Sequence, residues 1–490
     1  MQSSLSNISK NGILAFAASV FILGVVITGC TSSMTSTSST SNLIPNVNTS
    51  TSLVRITDAA SDQILAVSLN LNSLVLTDSS GKVTTNLLPA AGITFEATHL
   101  DAVQEPLFSP AIPQDTYVSA TLTYSSAQVA YVDPTTHTVD LVTATLANTS
   151  QTISFTAPVT ISNTNTSLLI DFLVPNSVVI SGSTVTVTPQ FKVAAVPVAS
   201  TLMTTHKGKV TAISTSTNSF TLTDPAGTAL TIYVNANTLF NPSPFTNTIC
   251  QGVACLATLQ VNALVEVDTV ITPSSSTTPP PGSLLAMRVE VEDPGTTAPK
   301  MLLGPVTSRT PTATGTPATS FNMLLRQLVG NSSATAVETV NVSVTGSTNF
   351  LLPPRYTVLA TALLFAPSFT SSTIFAGQHV AVVTTGVTSG AATANTVLLQ
   401  PQTISGVITN IAPSGAYTVY TVTLPASHWL ATLTGQTTVL VYTNGQVVPL
   451  TAATPAVSAT MRFNGYLFNV GGTLRLLACA QAGPPGVPLI

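Results

Sequence analysis

The sequence predicts an all-β fold: an N-terminal β-sandwich followed by about three small β-barrel-like units. Three observations carry that prediction. Charged residues make up only 6% of the 490 positions while hydrophobic residues reach 44%; average soluble proteins carry roughly 25% charged residues. A chain this apolar is not disordered on composition, so its solubility rests on Ser, Thr and Asn, which suit strand surfaces and turns better than helix interiors. Apolar and polar residues alternate with period two in many short runs, and a Gly-led strand pattern recurs three times. The length exceeds one ordinary hydrophobic core, so several domains are expected.

Residues 1–29 read as a lipoprotein signal peptide. Lys10 precedes an apolar run from Ile13 to Ile27, which ends in Ile27-Thr28-Gly29-Cys30. A charged lead, an apolar core and a small-residue cleavage site describe a secretory signal. The run is shorter than the ~20 residues of a spanning helix, and a Ser/Thr linker follows it rather than basic stop-transfer residues. The cysteine after the small pair resembles the lipobox of bacterial lipoproteins. That resemblance implies cleavage before Cys30 and lipidation of its thiol and new amine. Thr31 carries no inner-membrane retention signal, which points to the outer membrane. Residues 30–50, mostly Ser, Thr and Asn, form a flexible tether.

Residues 51–199 are the sandwich. Val67, Leu69 and Leu71 alternate with Ser68, Asn70 and Asn72, the pattern of a strand with one buried face. Ser79-Ser80-Gly81-Lys82 is a turn, and Val118, Ala120 and Leu122 repeat the alternation. Shorter strands follow at 153–155, 168–172 and 185–187. The segments Leu53-Val54-Arg55-Ile56-Thr57-Asp58-Ala59, His99-Leu100, Glu105-Pro106-Leu107, Ile112-Pro113-Gln114-Asp115-Thr116-Tyr117 and Val185-Thr186-Val187-Thr188-Pro189 resemble a bacterial family, domain of unknown function 4382. The resemblance implies a lipoprotein sandwich related to transthyretin-like and carbohydrate-binding modules, and brings no established activity.

Three units follow, over residues 204–294, 301–401 and 403–482. They open on Gly208-Lys209-Val210-Thr211, Gly304-Pro305-Val306-Thr307 and Gly406-Val407-Ile408-Thr409, with starts 96 and 102 residues apart. The stretch Thr272 to Gly282 reads as a long hairpin loop inside the first unit, and Asn444-Gly445 as a hairpin turn. This grammar resembles a second family, domain of unknown function 5666, which implies short OB-like barrels. The modules are expected to form a partly extended array.

The charge is uneven. Residues 51–200 hold ten acids against three bases, whereas residues 301–490 hold five isolated arginines against Glu338. Phosphate neutralisation needs clustered cations, so nucleic acid is excluded as a partner on this ground. Cys250 and Cys255 bracket four residues and suit a local disulfide outside the cytoplasm; Cys479 is left as a buried thiol. The five histidines are scattered, and no metal-spaced pair, nucleophile elbow or phosphate-binding loop is present. Asp58 and Asp62, flanking a short loop, are the candidate calcium ligands, with Asp101 and Glu105 nearby. The competing reading is a solvated acidic rim, since no recognised ligand spacing is present. His428-Trp429 is either part of a sugar-stacking platform or core packing.

The expected function is a non-enzymatic, lipid-anchored envelope protein without cofactors. It would bind or scaffold polysaccharide or envelope partners, anchored to the membrane through Cys30. The alternative is an envelope polysaccharide hydrolase, which requires two acids, or an acid and a histidine, to meet in a cleft.

Overall fold

Period-two alternation becomes long paired strands. The computed structural model describes residues 48–484 except 53, 59–61, 101–104, 109, 163–165, 198–203, 226, 245–248, 273–275, 296–298, 314, 331–336, 354–355, 357–358, 361, 450 and 452. The signal segment, Cys30 and most of the tether lie outside the described residues, as does Asp101. The chain is nearly all β, with 58% of residues in strands and 5% in helix.

The N-terminal module is two sheets over one core. One sheet runs Ser150–Ile161, Asp115–Val132, Ile64–Asp78 and Ile93–Glu96; the other runs Phe191–Pro197, Thr166–Phe172, Val54–Asp58 and Glu105–Phe108. Leu69, Leu71, Leu122 and Tyr124 from the first sheet meet Val54, Ile56, Ile170 and Phe172 from the second. The predicted turn after Ile64–Asp78 closes on Asp78, whose Oδ1 accepts from Ser80 N, Ser80 Oγ and Lys82 N, each at 2.8 Å. These bonds outweigh the effect of burial and lower the carboxyl pKa.

The next two closed sheets share one strand order. In the first barrel Thr204–Ser214, Ser219–Thr223 and Ala229–Tyr233 form an antiparallel meander. Leu264–Ile271 and Leu284–Asp293 complete it, with Ala229–Tyr233 closing in parallel on Leu284–Asp293. The last barrel repeats this with Gln402–Ser414, Tyr417–Thr423, Thr438–Thr443, Thr460–Val470 and Thr473–Ala482. A meander whose third strand lies parallel to the fifth is the OB arrangement. The middle unit is a half-barrel whose fifth strand is broken into Ala391–Thr393 and Thr396–Leu399, though its first half still pairs in parallel with Glu338–Ser343. A short extra strand parallel to the fifth recurs in all three, at Leu239–Asn241, Asn349–Leu351 and Val448–Pro449.

The recurring Gly-x-Val/Ile-Thr has a mechanical reason. The opening strand bulges between Val210 and Ala212, Val306 and Ser308, and Ile408 and Asn410. The extra residue is Thr each time, and its hydroxyl donates to a carbonyl of the second strand: Thr211 to Thr221, Thr307 to Asn322, Thr409 to Thr421. A β-carbon on Gly208, Gly304 or Gly406 would lie 2.5, 1.8 or 2.5 Å from a backbone oxygen, so only glycine lets the strands approach where the barrel turns its corner. The segment Thr272 to Gly282 joins the paired ends Ile271 and Leu284 as a hairpin loop.

The modules do not form an extended array. The described residues all fall in one compact unit, and apolar clusters run through the seams. Leu65, Ala66, Ala130 and Val132 of the sandwich pack with Ile404, Trp429 and Leu430 of the last barrel. Leu264 of the first barrel joins Met301, Leu303 and Val329 of the middle unit. The sparse charge misled here: a chain with so few ionic groups covers module faces with each other rather than with water.

Candidate functional site at the module junction

The polar groups removed from water by that packing converge. At the end of Ile93–Glu96, Glu96 turns its carboxylate back under the short 3-10 turn Thr98–Leu100. It accepts from Val67 N at 3.0 Å, Thr98 N at 2.9 Å, Thr98 Oγ1 at 2.6 Å and His99 N at 3.1 Å. His99 Nδ1 donates to Glu96 Oε2 at 3.0 Å and Nε2 to Glu105 Oε2 at 3.1 Å. Gln327 of the middle unit lies 2.8 Å from the same Nε2.

The electrostatics follow from this geometry. Burial would raise the Glu96 carboxyl, but the His99 hydrogen bond and the charges of Arg326 and His99 outweigh it and hold the group at about 2. Burial would lower His99, but Glu105 and Glu96 raise it to about 9. The imidazole is therefore a cation clamped between two carboxylates.

The other modules add their own groups. Lys207 Nζ donates to Glu266 Oε2 at 2.5 Å and, across the seam, to Gln400 Oε1 at 2.7 Å. Lys207, Glu266, Glu290 and Asn241 are successive register partners across the first barrel, so three neighbouring strands set two carboxylates and an ammonium in one row. Burial, with Glu266 beside it, raises Glu290 to about 7; burial, with Glu266 and Glu290, raises Glu292 to about 8. Arg326 donates to the Leu65 carbonyl across the seam with the sandwich.

Asp62, His99, Arg326, His379, Ser405 and His428 line one polar cavity between the sandwich, the middle unit and the last barrel. It offers about 60 Å³ to water centres, where one water needs roughly 10–15 Å³. A few waters fit. Ser405 donates to Asp62, whose carboxyl is raised by burial. His379 Nδ1 faces the Pro401 carbonyl at 3.2 Å, so that nitrogen carries the proton and the buried Nε2 has no hydrogen-bond partner. His428 Nδ1 accepts from Leu430 N at 3.1 Å and caps the helix Trp429–Thr434, which Gly435 ends at φ 70°.

The sequence-stated residues fare unevenly. Cys250 and Cys255 are joined, with Cα atoms 5.9 Å apart, and Cys479 is a buried thiol outside any disulfide whose Sγ donates to Asn464. Asp58 and Asp62 are not brought into one ligand set, which corrects the calcium reading. Asp58 accepts from Val174 N at 3.3 Å inside the sandwich, whereas Asp62 reaches the last barrel. Among the described residues no group of three His, Cys, Asp or Glu could hold a metal. Both aspartates are spent on packing rather than left as a solvated rim: Asp58 is 1% exposed. Trp429 is buried, so His428-Trp429 is not a stacking platform. The scattered histidines are the residues that sequence reasoning missed, because His99, His379 and His428 meet only through packing of three modules. The one local signal was Glu96-x-x-His99-x5-Glu105, an acid–imidazole–acid spacing.

No protein-family model matches the chain, and no curated protein matches it. Among solved structures, the crystal structure of a deletion mutant of the single-stranded DNA-binding protein from Thermus aquaticus is similar to part of it. It is 14% identical, covers 38% of this chain and 93% of that one, and has a TM-score of 0.14. With that neighbour the exclusion of nucleic acid no longer stands. Single strands are also held by stacking on aromatic rings, so a low count of clustered cations was too narrow a ground. At this TM-score the likeness carries no further argument. Among the described residues no helix is long and apolar enough to cross a membrane.

Proposed function

We propose that the chain is a lipid-tethered, non-catalytic protein of the cell envelope that binds or scaffolds polysaccharide or envelope partners. Its four β-modules act as one preassembled body. The observation that carries this reading is the saturation of His99: both ring nitrogens are held by carboxylates of the same chain, leaving none to accept a proton from a substrate. A general base needs a free nitrogen within reach of the reacting proton. A cavity of about 60 Å³ supports the same reading, as does the commitment of Ser405 to Asp62. The tether and the lipid at Cys30 rest on the signal-like first 30 residues. Binding of the purified full chain to a glycan array, together with membrane fractionation of wild type and Cys30→Ala, tests both halves. Retention of wild type in the membrane and release of the variant are expected.

The second reading is an envelope polysaccharide hydrolase. It is favoured by one observation, that one carboxylate, Asp62, and three imidazoles line a single cavity, with Asp62 raised by burial. Reducing-sugar release from envelope polysaccharide, lost in Asp62→Asn, would replace the binding reading with this one.

A further inference from the structure

The same cavity holds two imidazoles that the clamp around His99 does not use. His379 comes from the start of His379–Thr384 in the middle unit, and His428 from the helix cap of the last barrel. Around His379 stand Arg326 of its own unit, Lys207 of the first barrel and His99 of the sandwich, all cationic. The carboxylates within reach are committed elsewhere: Glu96 and Glu105 to His99, and Asp62 to Ser405. From the last barrel the cavity receives Ser405, Thr403 and Asn464, none of them ionised. A proton on enclosed His379 would meet three cations and a nitrogen with no acceptor. A proton on His428 Nδ1 would remove the lone pair that accepts from Leu430 N. Both rings can charge comfortably only in water.

We propose that the junction is an acid-opened latch: proton uptake by His379 and His428 loosens the seam that joins the sandwich to the middle unit and last barrel, while the β-modules stay folded. Enclosure holds both rings near 3, through burial for each and through the neighbouring cations for His379, against an ordinary value of 6.5. The opened form therefore binds protons that the closed form refuses as the pH falls below 6.5. Each ring favours opening by up to about tenfold per pH unit, so two give about 100-fold. The sandwich has an apolar core of its own, and the middle unit and last barrel share one, which is why loosening the seam between these two bodies leaves each intact.

The chain carries its own reporter, since its single tryptophan, Trp429, lines this cavity and its backbone N–H donates to the Asp62 carbonyl at 2.7 Å. The test is a reversible pH titration of the full chain, following Trp429 emission beside far-UV circular dichroism. The expected result is a red shift below the ordinary imidazole range with the β signal retained and a steepness near two protons. His379→Gln and His428→Asn should each remove about one proton from that steepness. A red shift that is absent, that coincides with loss of the β signal, or that has a wild-type steepness below one proton overturns the latch. So does an unchanged steepness in both variants. If a variant fails to fold, the wild-type proton count decides alone.

Discussion

The α-carbon of Gly304 sits so close to Leu324 that a β-carbon there would lie 1.8 Å from the Leu324 carbonyl oxygen. The obstacle is backbone of the paired strand, so it cannot swing away as a side chain would. Gly304→Ala is expected to destabilise by about 3 kcal/mol or more, the upper range for overpacking. Gly346→Ala, where a β-carbon meets nothing within 4 Å, serves as the control and should change stability by less than about 0.5 kcal/mol. Urea unfolding of both variants checks the difference.

Glu96 links the sandwich to the rest through His99. Its carboxyl is held at about 2 against an ordinary 4.5, so the folded state binds its proton later than the unfolded chain does. That stability is fully present above pH 4.5 and disappears as the pH falls towards 2, a contribution of about 3 kcal/mol. Glu96→Gln leaves His99 with one carboxylate and removes a charged acceptor from several donors. The loss expected at neutral pH is about 3–5 kcal/mol, with a flatter acid limb. Urea midpoints at neutral and acid pH, compared between wild type and variant, decide it.

Much of the fold was legible because strands announce themselves locally. Alternation over Val67 to Leu71 and the Gly-x-Val/Ile-Thr openings are short-range signals, and the bulge at Thr211, Thr307 and Thr409 explains why they repeat. The junction was not legible. His99 and His379 are 280 positions apart in the sequence and meet only because apolar faces of different modules bury each other. No periodicity within a module encodes which face meets which. Asp58 and Asp62 misled for the opposite reason: their closeness in sequence suggested one ligand set, but a strand end sends one inward and the other across the seam.

The Cys250–Cys255 bridge closes a short loop between the two-residue strand Cys250–Gln251, which pairs with the extra strand Leu239–Asn241, and the turn Val253–Thr258 of the first barrel. Loop-closure entropy for so few residues gives about 2 kcal/mol. Because Cys255 is 1% exposed and packs in the barrel core, Cys250→Ser isolates the bridge better than replacing its buried partner. A fall in thermal midpoint is expected for Cys250→Ser. Reductant should lower the wild-type midpoint similarly and leave the variant unmoved.

Glu292 works against the fold at alkaline pH. Its side chain is buried, one carboxylate oxygen lacks a hydrogen-bond partner, and Glu266 and Glu290 crowd it with only Lys207 opposing. With its carboxyl raised to about 8 from 4.5, the folded state keeps a proton that the unfolded chain has already released. The sign is therefore a penalty that is absent below pH 4.5, grows as the pH rises from there, and is complete above about 8. Glu292→Gln keeps the shape of the protonated acid and cannot ionise. It should leave stability nearly unchanged at pH 4.5 and raise it by about 2 kcal/mol or more at pH 9. Thermal midpoints across that range measure the difference. An equal gain at both ends would mean that the variant acts through packing rather than through the proton.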